Sequence, residues 1–163
     1  MLEDLLAPNL ALVICGSAAG RRSAHLDQYY AGRGNRFWAT LAETGLTPRQ
    51  LAPSEYRLLL SLGIGLTDVV KSQSGGDLEL DFSRSDPKAL RKKVLRFSPT
   101  YLCFNGKQAA KVFLGRESVA LGIQPEAVGR TSLFVAPSTS GAARRFWDIS
   151  VWHDLASLLK AAS

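Results

Sequence analysis

The chain has 163 residues, enough for one domain with a sizeable core, and 46% of them are hydrophobic, which excludes a disordered chain. No apolar run approaches the roughly 18 residues that a membrane span requires. A formal net charge of +6 and a pI near 9.6 favour a polyanionic partner, although a basic enzyme that never meets nucleic acid has the same balance. The acidic opening MLEDLLAPN has no basic n-region and no signal-type cleavage site, so the expected compartment is the cytoplasm, with nucleoid association in a bacterium. Cys15 and Cys103 both sit in apolar, strand-like runs and read as small buried hydrophobes. With only His25 and His153 beside them, no metal site is expected, and no cofactor.

In chain order, LALVICG (Leu10 to Gly16) is a short apolar run closed by glycine, the pattern of a strand buried on both faces. A long basic, aromatic loop follows, and NRFWATLAETG then predicts a helix ending at Gly45. Thr47-Pro48 and Pro53-Ser54 are two start signals, predicting a short helix and then a longer one. IGLTDVV predicts a second buried strand ending near Asp68, and KSQSGGDLELDFSRS a loop. SDPKALRKKVLRFSP predicts a helix with Pro87 in its first turn. TYLCFNG predicts a third strand, KQAAKVFLG a helix, TSLFVAPSTSG a fourth strand and its loop, and RRFWDISVWHDLASLLKAA the closing helix. Strands alternating with helices, each strand apolar throughout, imply one α/β domain over residues 1–163 with a four-stranded, mostly parallel sheet flanked by helices. Ligands of such sheets bind beyond the carboxyl ends of the strands. A site is therefore expected from the loops after Gly16, Thr67, Phe104 and Pro137.

Each strand end has an ordinary reading beside a functional one. CGSAAG reads as a glycine-rich turn into a helix, but it is neither a dinucleotide fingerprint nor a phosphate loop. Asp68 and Asn105 suit caps or turns, and APSTSGAARR suits a solvated basic loop.

Taken together, ICG-x-x-x-G, NRFW, GLT-x-VV, GKQA and P-x-x-SG-x-x-R resemble the uracil-DNA glycosylase superfamily in order and spacing. The mismatch-specific uracil/thymine branch is most similar, while YYAGRGNRFW resembles the hypoxanthine-DNA glycosylases. The resemblance spans nearly the whole chain and is weakest from Gly75 to Ser85 and from Arg116 to Arg130. It implies a monomeric, monofunctional enzyme. Such an enzyme extrudes uracil or another deaminated base from DNA and hydrolyses the bond between base and sugar. Tyr30 falls where the family stacks an aromatic ring on the base. Gly16, Ser17, Ala18 and Gly20 form the first motif around that base, with Asn105 at the third strand end. Arg21, Arg22, Ser140, Gly141, Arg144 and Arg145 are the implied DNA contacts. The family wedges a large apolar residue beside Ser-Gly into the duplex. Here Ala142 and Ala143 are too small, so an arginine is expected to fill the gap.

Two polar groups of the family pattern are absent. The first-motif asparagine that positions water is Ala18 here, and the fourth-motif histidine or asparagine is Ser138. Hypoxanthine-type relatives also lack the first, and their usual catalytic candidate is the asparagine of NRFW, which is Asn35. Catalysis has then moved to Asn35 and Asp68, with Ser138 in the fourth motif. Asn35 has a competing role as cap of the helix that follows. Otherwise the domain binds damaged or abasic DNA without cutting it. A nucleotide-binding protein unrelated to repair is disfavoured by the missing phosphate loop.

Overall fold

The chain folds around a sheet of β1 (Leu12–Gly16), β2 (Ile64–Asp68), β3 (Tyr101–Asn105), β4 (Gly122–Val128) and β5 (Thr131–Ala136). In this computed structural model, which describes residues 2–71, 73–76 and 80–163, the strands lie in the order β2-β1-β3-β5-β4. The first four in that order are parallel, and β4 closes the edge antiparallel to β5. The sheet thus has one strand more than the sequence pattern predicts.

Alternation along β1 explains why its whole run is apolar. Leu12 and Ile14 enter one core with Phe37, Leu41, Leu59 and Trp152. Val13 and Cys15 enter the other with Val94, Leu102, Phe104 and Phe113. Cys15 and Cys103 are both buried free thiols, and they belong to opposite cores. One face is covered by α2 (Phe37–Glu43), the 3-10 helix Pro53–Leu62 and α5 (Ile149–Ala162). The other is covered by α3 (Pro87–Phe97) and α4 (Lys107–Leu114).

Several boundaries differ from the sequence reading. The aromatic loop contains a six-residue helix, α1 (Arg21–Leu26), headed by Gly20 without a side-chain cap. The Thr47-Pro48 start is not used, because Thr47 turns its hydroxyl onto the Arg49 carbonyl at 2.7 Å. The closing helix starts at Ile149, where Asp148 accepts the Ser150 N–H at 2.9 Å. Residues Gly141–Phe146 ahead of it form a separate 3-10 turn. Part of the loop predicted after β2, Ser72 and residues 77–79, lies outside the described residues; a short 3-10 turn, Phe82–Arg84, closes it.

β1 has β2 on one side and β3 on the other, so the connections leave it in opposite directions. That is the topological switch point at which open parallel sheets bind ligands.

Candidate functional site

Gly16 closes β1 at this switch point. A Cβ on Gly16 would stand 2.7 Å from Asp68 Oδ1 and 3.0 Å from the Tyr30 hydroxyl, so only glycine lets both groups reach the strand end. The backbone after it is tied to the loop following β2. Gly16 and Ser17 carbonyls accept the N–H groups of Val69 and Val70 at 3.0 and 2.8 Å, and Ala19 accepts that of Gly75 at 2.9 Å. A cleft of about 190 Å³ opens between these two loops, with Ala19, Asp68 and Lys71 in its wall.

Tyr30 reaches this point from the aromatic loop. Its backbone is left-handed, with φ of 52°, a conformation that costs an ordinary residue of order 1 kcal/mol or more. One face of its ring stacks on Phe37 at 3.8 Å between centroids. Burial, and next the Asp68 carboxylate, push the phenol well above its ordinary range, so the hydroxyl keeps its proton. Asn105 lies close enough to oppose that shift, yet among the described residues no group completes a hydrogen bond to the hydroxyl.

Asp68 ends β2 and is 6% exposed. Its Oδ2 faces Lys71 Nζ at 3.3 Å, but Lys71 stands closer to Asp4, at 2.7 Å. Asp4 also holds Lys93 at 2.6 Å and accepts the Thr67 hydroxyl at 2.7 Å. Lys71 therefore only partly neutralises Asp68. Burial raises the Asp68 carboxyl, Lys71 opposes it, and the net displacement is upward. For Asp4, burial acts upward but Lys71 and Lys93 outweigh it, so that carboxyl is held low. Burial alone would lower Lys71; Asp68 and Asp4 reverse this, so the amine is held in its charged form.

Asn105 ends β3 and braces the loop after β5. Its Oδ1 accepts the Thr139 N–H at 3.0 Å, and its Nδ2 donates to the Thr139 hydroxyl at 2.9 Å. The Thr139 carbonyl in turn accepts the Arg36 N–H at 2.9 Å. Thr139, fully buried, thus ties NRFW to the loop after β5. The same loops meet at Gly34 and Gly141, where a Cβ on Gly141 would stand 3.2 Å from the Gly34 carbonyl oxygen.

The fold has counterparts among known proteins. Residues 3–156 match the family model of the uracil DNA glycosylase superfamily. The chain belongs to that superfamily. A candidate uracil DNA glycosylase from Methanosarcina acetivorans, solved by solution NMR, is similar over 98% of this chain and 96% of its own. The two share 27% identity, with a TM-score of 0.61.

Within the glycosylase fold, Gly16, Tyr30, Asp68 and Asn105 are brought to one point. The other residues read from the sequence take varied places. Ser17 is half-buried and tied to β2's loop, while the Ala18 methyl packs against the α3/α4 core. Gly20 is exposed, and a Cβ there would meet open space. Asn35 Oδ1 accepts the Phe37 N–H at 3.0 Å, but Asn35 lies one residue ahead of Arg36, the N-cap of α2, so it is tied to the head of the helix without being the cap expected from the sequence. Ser138 Oγ accepts the Ser140 N–H at 3.2 Å, and Ser140 Oγ accepts that of Ala142 at 3.3 Å. Arg21 and Arg22 are exposed in α1, and Arg144 and Arg145 in the 3-10 turn.

Sequence reasoning missed Thr139, Lys71 and Phe146. Phe146 is 76% exposed, with Arg145 over its ring at 5.7 Å, a large apolar side chain in the loop where the sequence suggested an arginine wedge. Its signal was present as an aromatic within a basic run, but it was assigned to the closing helix. Among the described residues no cluster of His, Cys, Asp or Glu could hold a metal, and no helix is long and apolar enough to cross a membrane.

Proposed function

We propose that the protein is a monofunctional DNA glycosylase that removes a deaminated base, uracil foremost, and leaves an abasic site. The observation that carries this reading is the meeting of the Tyr30 hydroxyl and the Asp68 carboxylate over Gly16, at the switch point of a uracil-glycosylase fold. An extruded base enters beside Tyr30. As the bond from C1′ to the base nitrogen loosens, positive charge develops on the sugar and negative charge on the base. The buried, partly neutralised Asp68 faces the cation. The Tyr30 hydroxyl and first-motif backbone N–H groups donate to the base oxygens, already oriented before charge develops. A water oxygen bonds to C1′, its proton passes to Asp68, and the electron pair of the broken bond leaves with the base. The Asn35 carboxamide orients that water through its Nδ2, since Oδ1 is taken by the Phe37 N–H.

The amine nearest the site supports hydrolysis rather than strand cleavage. Lys71 is an ammonium shared by two carboxylates, and a protonated amine cannot attack a sugar carbon. A second reading, a binder of damaged or abasic DNA, is favoured by Ala18, whose methyl faces the core and which neither orients water nor stabilises a cation. Single-turnover excision from a uracil duplex separates them. Asp68→Asn keeps the size and removes the charge, and should slow excision by about 10²-fold or more while DNA binding is retained.

A further inference from the structure

Arg36 occupies an unusual position for an arginine. Its side chain is half-buried, and its Nη1 is fully buried without a hydrogen-bond acceptor among the described residues. The carboxylates of the described ion pairs engage Arg49, Lys71, Lys93 and Arg116, and none faces Arg36. A guanidinium is a permanent cation, and burying one without a counter-charge is costly. The side chain is nonetheless held in place. Its Cζ lies over the Trp147 ring at 5.4 Å, and its backbone N–H is anchored on the Thr139 carbonyl. A guanidinium stacked on an aromatic face keeps its N–H fork rigid, the geometry suited to phosphate oxygens. The nearby chain, with exposed Arg144 and Arg145, adds positive charge rather than neutralising it.

We infer that Arg36 is a binding site for one backbone phosphodiester of the DNA strand that carries the extruded nucleotide. Arg36 links the two walls of the site: it follows Asn35 in sequence, bonds to the loop after β5, and stacks on the residue that follows the exposed 3-10 turn. A phosphate there lies beside the extruded nucleotide and supplies the missing counter-charge. Arg144 and Arg145, being exposed, contribute general attraction instead. The inference rests on the glycosylase reading only in requiring that DNA be the ligand.

The test is binding of an abasic-site duplex over a range of salt concentrations, with wild type, Arg36→Gln and Arg36→Lys. Loss of one phosphate contact should reduce the slope of log affinity against log salt by about 0.9 in Arg36→Gln. Arg36→Lys keeps the charge but not the fork, so it should bind more weakly with the slope preserved. A scan of single neutral methylphosphonates around the lesion should find one position that weakens wild type on the order of tenfold. At that position Arg36→Gln should lose nothing further. An unchanged slope in Arg36→Gln, an equal fall of slope in Arg36→Lys, or losses that add at every position would overturn the assignment while excision stands. The scan on wild type is informative even if Arg36→Gln is unstable: the absence of any such position overturns the inference. Failure of wild type to bind DNA at all overturns both this and the glycosylase reading.

Discussion

The Tyr30 hydroxyl and the Asp68 carboxylate come within 3.0 Å of the same point above Gly16, one from a strained loop and the other from the end of β2. Among the described residues the hydroxyl lacks a partner there, and the carboxylate has only part of a counter-ion. Both groups are held at a cost to the folded protein, the expected signature of a site arranged for a ligand.

Tyr30→Phe should separate the two sides of that arrangement. The ring still stacks on Phe37, but the unsatisfied hydroxyl is gone, so thermal stability should rise by an amount corresponding to about 1 kcal/mol. Single-turnover excision should fall by roughly 10²-fold, the scale of one lost oxyanion donor. Unchanged excision would reduce Tyr30 to a stacking platform.

The two glycines of the first motif should respond oppositely. Gly16→Ala sets a methyl against Asp68 and Tyr30 and should cost about 1–3 kcal/mol together with most activity. Gly20→Ala meets open space at an ordinary φ of −63° and should be nearly silent. Urea unfolding of both variants checks the contrast; equal tolerance would mean that Gly16 is not packed as described.

The acid limb of the activity profile should lie above the ordinary carboxylate range. Asp68 must be ionised to face the sugar cation, and its carboxyl is displaced upward, so the rate rises as pH passes through that raised value. Lys71→Met removes the opposing charge and should move the limb to still higher pH. Asp4 has the opposite sign for stability. Held below its ordinary 3.8, it stabilises the fold above that pH and loses the contribution as pH falls through its lowered value. Asp4→Asn should therefore flatten acid unfolding below about pH 4. Profiles of rate and of thermal midpoint against pH test the two signs separately.

Phe146→Ala should leave stability within about 0.5 kcal/mol, since the side chain is 76% exposed. If this ring is the wedge that holds the duplex open, excision from duplex should fall well below that from single-stranded DNA. Equal losses on both substrates would return the role to Arg144 or Arg145.

The four parallel strands were legible because burial on both faces makes each a continuous apolar run. β4 was not, because an edge strand reading GIQPEAV exposes alternate residues and tolerates Pro125, which argues against a strand in sequence. The helix that the turn at CGSAAG suggested is α1, but its six residues and lack of a capping side chain left its bounds unreadable. At the site, Asp68, Asn105 and Tyr30 fell on recognisable strand ends and motifs. Thr139 and Arg36 did not stand out. The partners of Thr139 lie 34 residues away in Asn105 and beyond that in NRFW, and nothing local distinguishes it from a loop threonine. Phe146 was passed over for a related reason: RRFW continues smoothly into an amphipathic helix, yet Asp148 starts that helix one turn later.

Incubation with labelled oligonucleotides containing uracil, hypoxanthine or thymine, with and without subsequent alkali, tests the central claim most directly. Strand breaks at uracil only after alkali, undiminished by EDTA, are the predicted result. Intact strands for every base, with abasic-site binding retained, would contradict it and leave a damage-binding module; breaks without alkali would contradict the monofunctional mechanism.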